Sequence, residues 1–402
     1  MKRILVIAPQ SYPVTGAESI VNIKQLKALS NSSEFEIDLV SKRSKQGNYK
    51  TDDFSTTQIK LKSLNIIEVD NKFNLKTIIQ HAKCLLKFGV VFKGAHWAIA
   101  AWPTIAKLLK ENKYDYVITK NAPSLLLGAY IKRKYNIKWV ATWNDPYPVN
   151  FYPHPYGNGY DSKGSHNDRK LVKLMRKYPD VHLFPSKRIK EYMHHYIGFD
   201  SSKAFIAPHV ALDNMNIELK CTNDKLRIIH NGNLKSPRNP ETFLKALSRF
   251  VTTRPEAKIE ITIQGVYDKN TSDTIEQLKL KNYIITKESV SYNESLKELE
   301  NHHIALIIEA NVENGIFMPT KVSDFMQSGR RIFSISPKEG VLNDLYKNGN
   351  ISYFAPVDDV DAIYTEITKA YEDFCNNSIT SNKENIPTEF QEKYIVNLFK
   401  QF

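Results

Sequence analysis

Cysteine is scarce in this chain of 402 residues. Cys84, Cys221 and Cys375 are widely separated and form no CxxC pair. So sparse a set excludes a disulfide framework and argues against a tetrahedral zinc site. Long apolar runs are missing too: no stretch approaches the length of a membrane-spanning helix. The first apolar run, Ile4 to Pro9, is too short for a secretory signal and reads as a β-strand. Together these absences predict a cytoplasmic protein with reduced thiols. Low-complexity tracts and short repeats are absent, as are helix-turn-helix, RRM and zinc patterns, so no nucleic-acid partner is expected. Neither the dinucleotide glycine fingerprint nor a Walker loop occurs. His154 and His166, read as surface histidines in one loop, have no metal-ligand pattern around them, and no metal or other cofactor is expected.

What is present suits two globular domains. Hydrophobic residues make up 42% and aromatics 11%, enough for real cores and too much for a disordered chain. Charge is unevenly placed. Residues 1–200 hold 32 Lys and Arg against 16 Asp and Glu, a balance of +16, and the remaining 24 and 27 give −3. All the excess positive charge lies in the first half, which suggests that this half meets a polyanion or an anionic membrane surface, or else carries a solubilising surface on a Lys-rich protein. Residues 84–109 interleave Trp97 and Trp102 with Lys87, Lys93 and Lys107. That mixture suits a membrane interface, and equally a pair of core helices.

Periodicity gives strands alternating with helices along the whole chain: Arg3 to Ala8, Phe35 to Val40, Tyr116 to Thr119 and Trp139 to Thr142 among the first strands, with helical patterns between them. A second series runs from Leu226 to Pro356. Such alternation implies parallel βαβ units. The expected fold class is α/β, with two Rossmann-like doubly wound domains facing across a cleft. Residues 1–208 and 225–385 would be the domains, 209–224 a linker, and 386–402 a C-terminal helix packing back on the first domain. Ligands in such sheets bind at the carboxyl ends of the strands.

Four segments at strand ends carry candidate chemistry. In MPTKVSDFMQSGR, Lys321 and Asp324 lie one turn apart on a short helix that Gly329 stops. A helix amino end with an ammonium group can face an anion, and a carboxylate can accept hydrogen bonds from sugar hydroxyls. In HNGNLKSPRNPETF, Gly232, Asn233 and Arg238 lie between a strand and a helix, a phosphate-cradle arrangement. In WVATWNDPYP, Asp145 sits just past a strand end, where it fits either a general base or a cap of the turn before Pro146. Gly16, after the first strand, lets backbone approach a ligand or the opposite domain, or is a plain turn glycine.

In this order the pieces resemble a GT-B glycosyltransferase, most closely the family 4 enzymes that build bacterial surface polysaccharides. NAPSLLLGAYI followed by WVATWNDPYP is similar to that group's Pro-Ser helix and Arg-Asp-Pro-Trp segment, with Asn144 for the Arg and Tyr147 for the Trp. HLFPSKRIKEYM and FIAPHV resemble the end of its first domain. HNGNLKSPRNPETFLKAL resembles its first phosphate loop. MPTKVSDFMQSGR resembles the segment that holds the nucleotide's phosphates and ribose. The chain departs from the family at Ile316, where one of two glutamates often stands, with Glu313 out of register. It departs also at Asn233 and Asn239, where an Arg and a Lys often hold the pyrophosphate.

The resemblance implies a retaining transferase. It would move a sugar from a nucleotide diphosphate sugar, with UDP favoured, to a polyprenyl-diphosphate-linked or oligosaccharide acceptor at the inner membrane face. Gly232, Asn233, Arg238, Lys321 and Asp324 would bind the donor, and Asp145 would lie nearest the chemistry. Two other classes share the architecture: a nucleotide-sugar epimerase, which would consume donor without an acceptor, and a non-catalytic scaffold.

Overall fold

The computed structural model describes every residue except 15, 45–58, 71, 73, 121, 214–216 and 380–385. Asn121 of the NAPS stretch and residues 214–216 of the expected linker therefore lie outside the described residues. The chain divides into two compact units, Met1–Leu212 with Thr388–Phe402, and Asp213–Pro387.

The first unit is built on seven parallel strands: β1 (Lys2–Ile7), β2 (Phe35–Ser44), β3 (Ser63–Val69), β4 (Tyr116–Lys120), β5 (Lys138–Thr142), β6 (Val181–Phe184) and β7 (Ala204–Ile206), in the order β3-β2-β1-β4-β5-β6-β7. Between and after them run α1 (Ala17–Asn31), α2 (Leu75–Phe88), α3 (His96–Glu111), α4 (Ala122–Tyr135), α5 (His166–Lys177) and α6 (Lys187–Ile197). The second unit has six parallel strands: β8 (Leu226–Asn231), β9 (Ile259–Gln264), β10 (Ile284–Lys287), β11 (Ile304–Ile308), β12 (Arg331–Ser336) and β13 (Tyr353–Pro356), in the order β10-β9-β8-β11-β12-β13. Its helices are α7 (Glu241–Thr253), α8 (Lys269–Gln277), α9 (Tyr292–Glu298), α10 (Lys321–Ser328), α11 (Val341–Lys347) and α12 (Val360–Cys375). The last helix, α13 (Glu392–Lys400), belongs to the first unit.

Central strands such as β4 and β11 are buried along their whole length, as a sheet covered on both faces requires. Trp97, Trp139 and Phe184 fill the first core, and Phe243, Phe250 and Phe333 the second. Each such side chain contributes about 1.5–3 kcal/mol by leaving water. Local signals set the helix ends. Asn74 and Thr77 form a capping box that starts α2, and Gly89 closes it in the left-handed region. Gly329 closes α10 in the same way.

Two details differ from the sequence expectations. His166 does not sit in a loop but opens α5, because Ser165 and Asp168 form a capping box there. The expected linker is shorter than 209–224. Val210, Ala211 and Leu212 are buried, the Ala211 N–H donates to the Phe390 carbonyl at 2.8 Å within the first unit, and the Lys220 N–H donates to the Glu300 carbonyl at 2.7 Å within the second.

In each sheet the chain reverses its direction of travel next to the first strand of the unit, between β1 and β4 and between β8 and β11. The loops leaving those strands diverge and open a crevice at their carboxyl ends.

Candidate functional site

In the second unit the crevice lies where β8 and β11 end. β8 runs into Gly232, whose backbone takes φ +145, a conformation that side chains rarely adopt. The bare Cα has a purpose in space: a Cβ there would stand 1.7 Å from Lys321 Nζ. The next strand supports this arrangement. Gly232 N–H donates to the Gln264 carbonyl at 2.7 Å, and a Cβ on Gly265 would meet the Gly232 carbonyl oxygen at 2.3 Å. Two glycines thus let two strand ends and one ammonium group converge.

Lys321 is the first residue of α10, whose amino end has no side-chain cap. Burial, followed by the repulsion of Arg238, pushes its ammonium down to about 8, against the pull of Glu309 and Asp324. No ion pair holds it among the described residues. Arg238 is paired with Glu309, just past the end of β11, at 3.2 Å. His230 is 3% exposed, and its Nδ1 lies 3.1 Å from the Leu306 carbonyl oxygen. A carbonyl only accepts, so Nδ1 carries the proton. Burial and the Lys321 charge keep the ring neutral, with its pKa well below the ordinary value. Nε2 has no hydrogen-bond partner among the described residues and lies on the Gly232 side of the ring. Asp324 is 7% exposed and accepts a 2.6 Å hydrogen bond from the Tyr292 hydroxyl.

Gly232, Arg238, Lys321 and Asp324 are therefore assembled in one place. A bare backbone turn, two cations and an uncapped helix end fit a phosphate or diphosphate. Asn233 stands in the same loop, exposed, and its Oδ1 accepts a hydrogen bond from Val266 N–H at 3.3 Å. Asn239 accepts from Glu241 N–H at the start of α7 and serves that helix. Ile316 is buried at 3% exposed, while Glu313 is exposed. His230, Gly265, Tyr292 and Glu309 were not singled out in the sequence. Only Gly265, after an apolar strand and before a helical stretch, repeats the signal that drew attention to Gly232.

In the first unit a cavity of about 780 Å³ opens at the carboxyl ends of the strands and is lined by Gln10, Lys42, His96, Thr142, Asp145 and Tyr152 among others. Asp145 faces it. The residue is exposed to the cavity yet surrounded by protein, and desolvation, then the Glu18 charge, pushes it up to about 7. Asn144 donates to Glu18 Oε1 at 2.6 Å and so holds that charge in place. Lys120, at the end of β4, is fully buried with no hydrogen-bond partner for Nζ among the described residues, and burial lowers it to about 8 with Glu18 as the opposing charge. Gly16 precedes α1 with extended backbone and nothing within 4 Å of its Cβ position. Any residue adopts that backbone, so glycine is not required there by conformation.

Trp97 is fully buried and belongs to the core. The apolar side chains that do face outward lie one helix earlier. On α2, Leu75 is 73% exposed and Leu86 87%, with Ile78, Ile79 and Leu85 exposed between them. The spacing puts them along one stripe of the helix. Exposed Lys76 and Lys83 flank the stripe, and Lys87 lies 4.3 Å from the Trp102 ring centroid. Among the described residues no helix is long and apolar enough to cross a membrane. Nor does any cluster of three or more His, Cys, Asp or Glu that could hold a metal ion occur among them.

With this geometry in hand, known proteins can be compared. Residues 83–211 match the model of Glycosyltransferase Family 4. No curated protein matches the sequence. Among solved structures, HepE of Anabaena in complex with UDP and glucose superposes with a TM-score of 0.66 at 13% identity, over 100% of this chain and 99% of that one. Sucrose-phosphate synthase of Thermosynechococcus elongatus gives 0.69 at 12%, over 100% and 98%. The lipopolysaccharide outer core galactosyltransferase WaaB gives 0.60 at 12%, over 99% and 98%. The resemblance to GT-B glycosyltransferases read from the sequence is borne out, as are two Rossmann-like domains.

Proposed function

We propose that this protein is a glycosyltransferase that takes a sugar from a UDP-sugar and passes it to a growing surface glycan on a polyprenyl-diphosphate carrier. The observation that carries the reading is the Lys321 ammonium lying over the bare Cα of Gly232 at an uncapped helix end. An ammonium group that burial has pushed down to about 8 gains most from an anionic partner. A leaving diphosphate supplies one. Lys321 and Arg238 would offset the charge that grows on the bridging oxygen as the glycosidic bond breaks, where the transition state needs it. Asp324, held by Tyr292, and Glu309, held by Arg238, are the carboxylates whose remaining lone pairs would accept from ribose or sugar hydroxyls. HepE binds UDP and glucose, and the shared fold favours a uridine donor here.

Asp145 is the proposed catalytic residue on the acceptor side. A carboxyl pushed up towards neutrality is suited to take a proton from an attacking hydroxyl at cellular pH. Retention of anomeric configuration is proposed on family resemblance alone. The lipid carrier is proposed from the charge of the first half and from the outward stripe of α2, which fits an anionic bilayer through apolar contact flanked by lysines. The reading needs no metal ion, and a rate that requires a divalent cation would overturn that part.

The test is a calorimetric and thermal-shift screen against UDP, GDP, ADP, CMP and their common sugar conjugates. Stabilisation by uridine nucleotides is expected. A folded protein that responds to no nucleotide would overturn the reading and favour a non-catalytic scaffold.

A further inference from the structure

Two lysines and a histidine border the cavity of the first unit, and the His96 ring packs against His81 with centroids 5.2 Å apart. Lys42, near the end of β2, is half-buried, and Lys93 is exposed just before α3. Neither forms an ion pair or hydrogen bond among the described residues. His96 is the first residue of α3 and 6% exposed, and neither ring nitrogen has a hydrogen-bond partner of ordinary geometry, although the Asp70 backbone lies close enough to favour its proton. The amino end of α3, a helix of 16 residues without a side-chain cap, adds its own partial positive charge beside Gly94.

A buried imidazole whose nitrogens lack a hydrogen bond of ordinary geometry gains free energy from a partner in the cavity. The cavity is also electrically two-ended. Asp145 feels the negative charge of Glu18, whereas the charges that act on His96 are Lys42 and His81, opposed weakly by Asp70.

We propose that Lys42, Lys93 and His96, with the amino end of α3, form a subsite for a phosphoryl group of the acceptor, and that the acceptor's reacting hydroxyl lies at the Asp145 end of the same cavity. A phosphoryl group fits better than a carboxylate. The diphosphate of a carrier-linked sugar brings two negative charges and four non-bridging oxygens to two ammonium groups, a ring N–H and helix N–H groups. The inference rests on the transferase reading and deepens it: a sugar carried on a diphosphate presents a phosphoryl group next to the sugar that is extended. The subsite would then select phosphorylated acceptors over neutral glycans.

The experiment uses the full chain saturated with UDP, so that the crevice of the second unit is occupied. Glucose 1-phosphate, inorganic phosphate and glucose are titrated by calorimetry into wild type, Lys42→Gln, Lys93→Gln and the double variant. Wild type should bind glucose 1-phosphate, inorganic phosphate more weakly and glucose not at all. Each single variant should weaken glucose 1-phosphate about tenfold, and the double variant should abolish it, with UDP affinity and melting temperature unchanged. Glutamine keeps most of the side-chain length, so loss of packing does not confuse the result.

Wild type that binds UDP but no glucose 1-phosphate overturns the inference while leaving the donor site standing. Binding that survives in the double variant overturns the assignment to this cavity. Inorganic phosphate binding as tightly as glucose 1-phosphate removes the acceptor and makes the site one for free phosphate. Failure to bind UDP at all strikes the transferase reading itself and is seen before any phosphate is added.

Discussion

The Lys321 ammonium offers the sharpest prediction, because its charge is predicted to titrate where assays are easily run. In the free protein it titrates near 8. A bound diphosphate, fully ionised above about pH 7, would raise it past its ordinary value. A raised pKa in the complex means that binding takes up a proton at alkaline pH. UDP affinity should therefore be full below pH 8 and fall as pH rises through 8. Between pH 7 and pH 9 the loss comes to roughly tenfold, or about 1.4 kcal/mol. Proton uptake should be about 0.1 at pH 7 and about 0.5 at pH 8. Calorimetry in two buffers of different ionisation enthalpy reads both quantities. Lys321→Met keeps the length of the side chain and removes the charge. It should weaken UDP at pH 7 by about 1.5–3 kcal/mol, the worth of a hydrogen bond to a charged group, and should flatten the profile between pH 7 and pH 9. A wild-type affinity equal at the two pH values, or a variant that keeps the tenfold fall, would refute the assignment of Lys321 to the diphosphate.

Three further outcomes follow from the geometry. Asp145→Asn should lower kcat by about 10²–10⁴, the usual contribution of a general base, and leave UDP affinity intact; a kcat within twofold of wild type would remove Asp145 from the chemistry. Ile79→Glu with Leu86→Glu should abolish sedimentation of the full chain with phosphatidylglycerol vesicles while leaving its melting temperature within a degree or two, and undiminished binding would show that the α2 stripe is not the contact. Acid should destabilise both units. His182, 2% exposed, and His303, 2% exposed, are pushed down to about 3 and about 4 by burial. Each stays neutral in the folded state while the unfolded chain takes up protons below 6.5, so stability is intact above that pH and falls towards 4. At pH 5 the loss is about 2 kcal/mol for each histidine. His182→Gln gives up a hydrogen bond from Trp143 Nε1 and starts less stable, yet should lose about 2 kcal/mol less than wild type between pH 7.5 and pH 5. An unchanged difference between the two pH values would rule His182 out as a source.

How much of this was legible in the sequence depends on how local the signal is. The strand and helix alternation, Gly329 as a stop and Lys321 at a helix start each rest on a few neighbouring residues, and each stands in the structure where it was expected. α5 was missed because HNDRKLVKLMRK is mostly charged and polar, which leaves Leu171, Val172 and Met175 as a narrow apolar face, and its clearest mark is the Ser165–Asp168 cap. Tyr292 and Asp324 are 32 residues apart, and only the return of β11 between β8 and β12 brings their helices together. His230 reads as one more residue of a buried strand until the Leu306 carbonyl and the Lys321 ammonium are placed around it. The stripe on α2 was hidden for a different reason: an apolar face looks the same in sequence whether it is covered or bare, and the lysines beside it mark a rim in either case.

The return of α13 to the first unit bears on how the chain is made. Lys2 Nζ donates to the Lys400 carbonyl at 2.8 Å, Tyr116 Oη donates to the Phe399 carbonyl at 3.0 Å, and Phe399 is fully buried. The first unit is thus assembled from two stretches of chain with the whole of the second unit threaded between them. During vectorial synthesis β1 to β7 emerge early but wait, one flank open, while residues 213–387 are translated and fold. The unit made first is the unit finished last. Chains cut off before residue 388 and released from the ribosome should resist protease in the second unit and yield in the first, because residues 388–402 close the first unit.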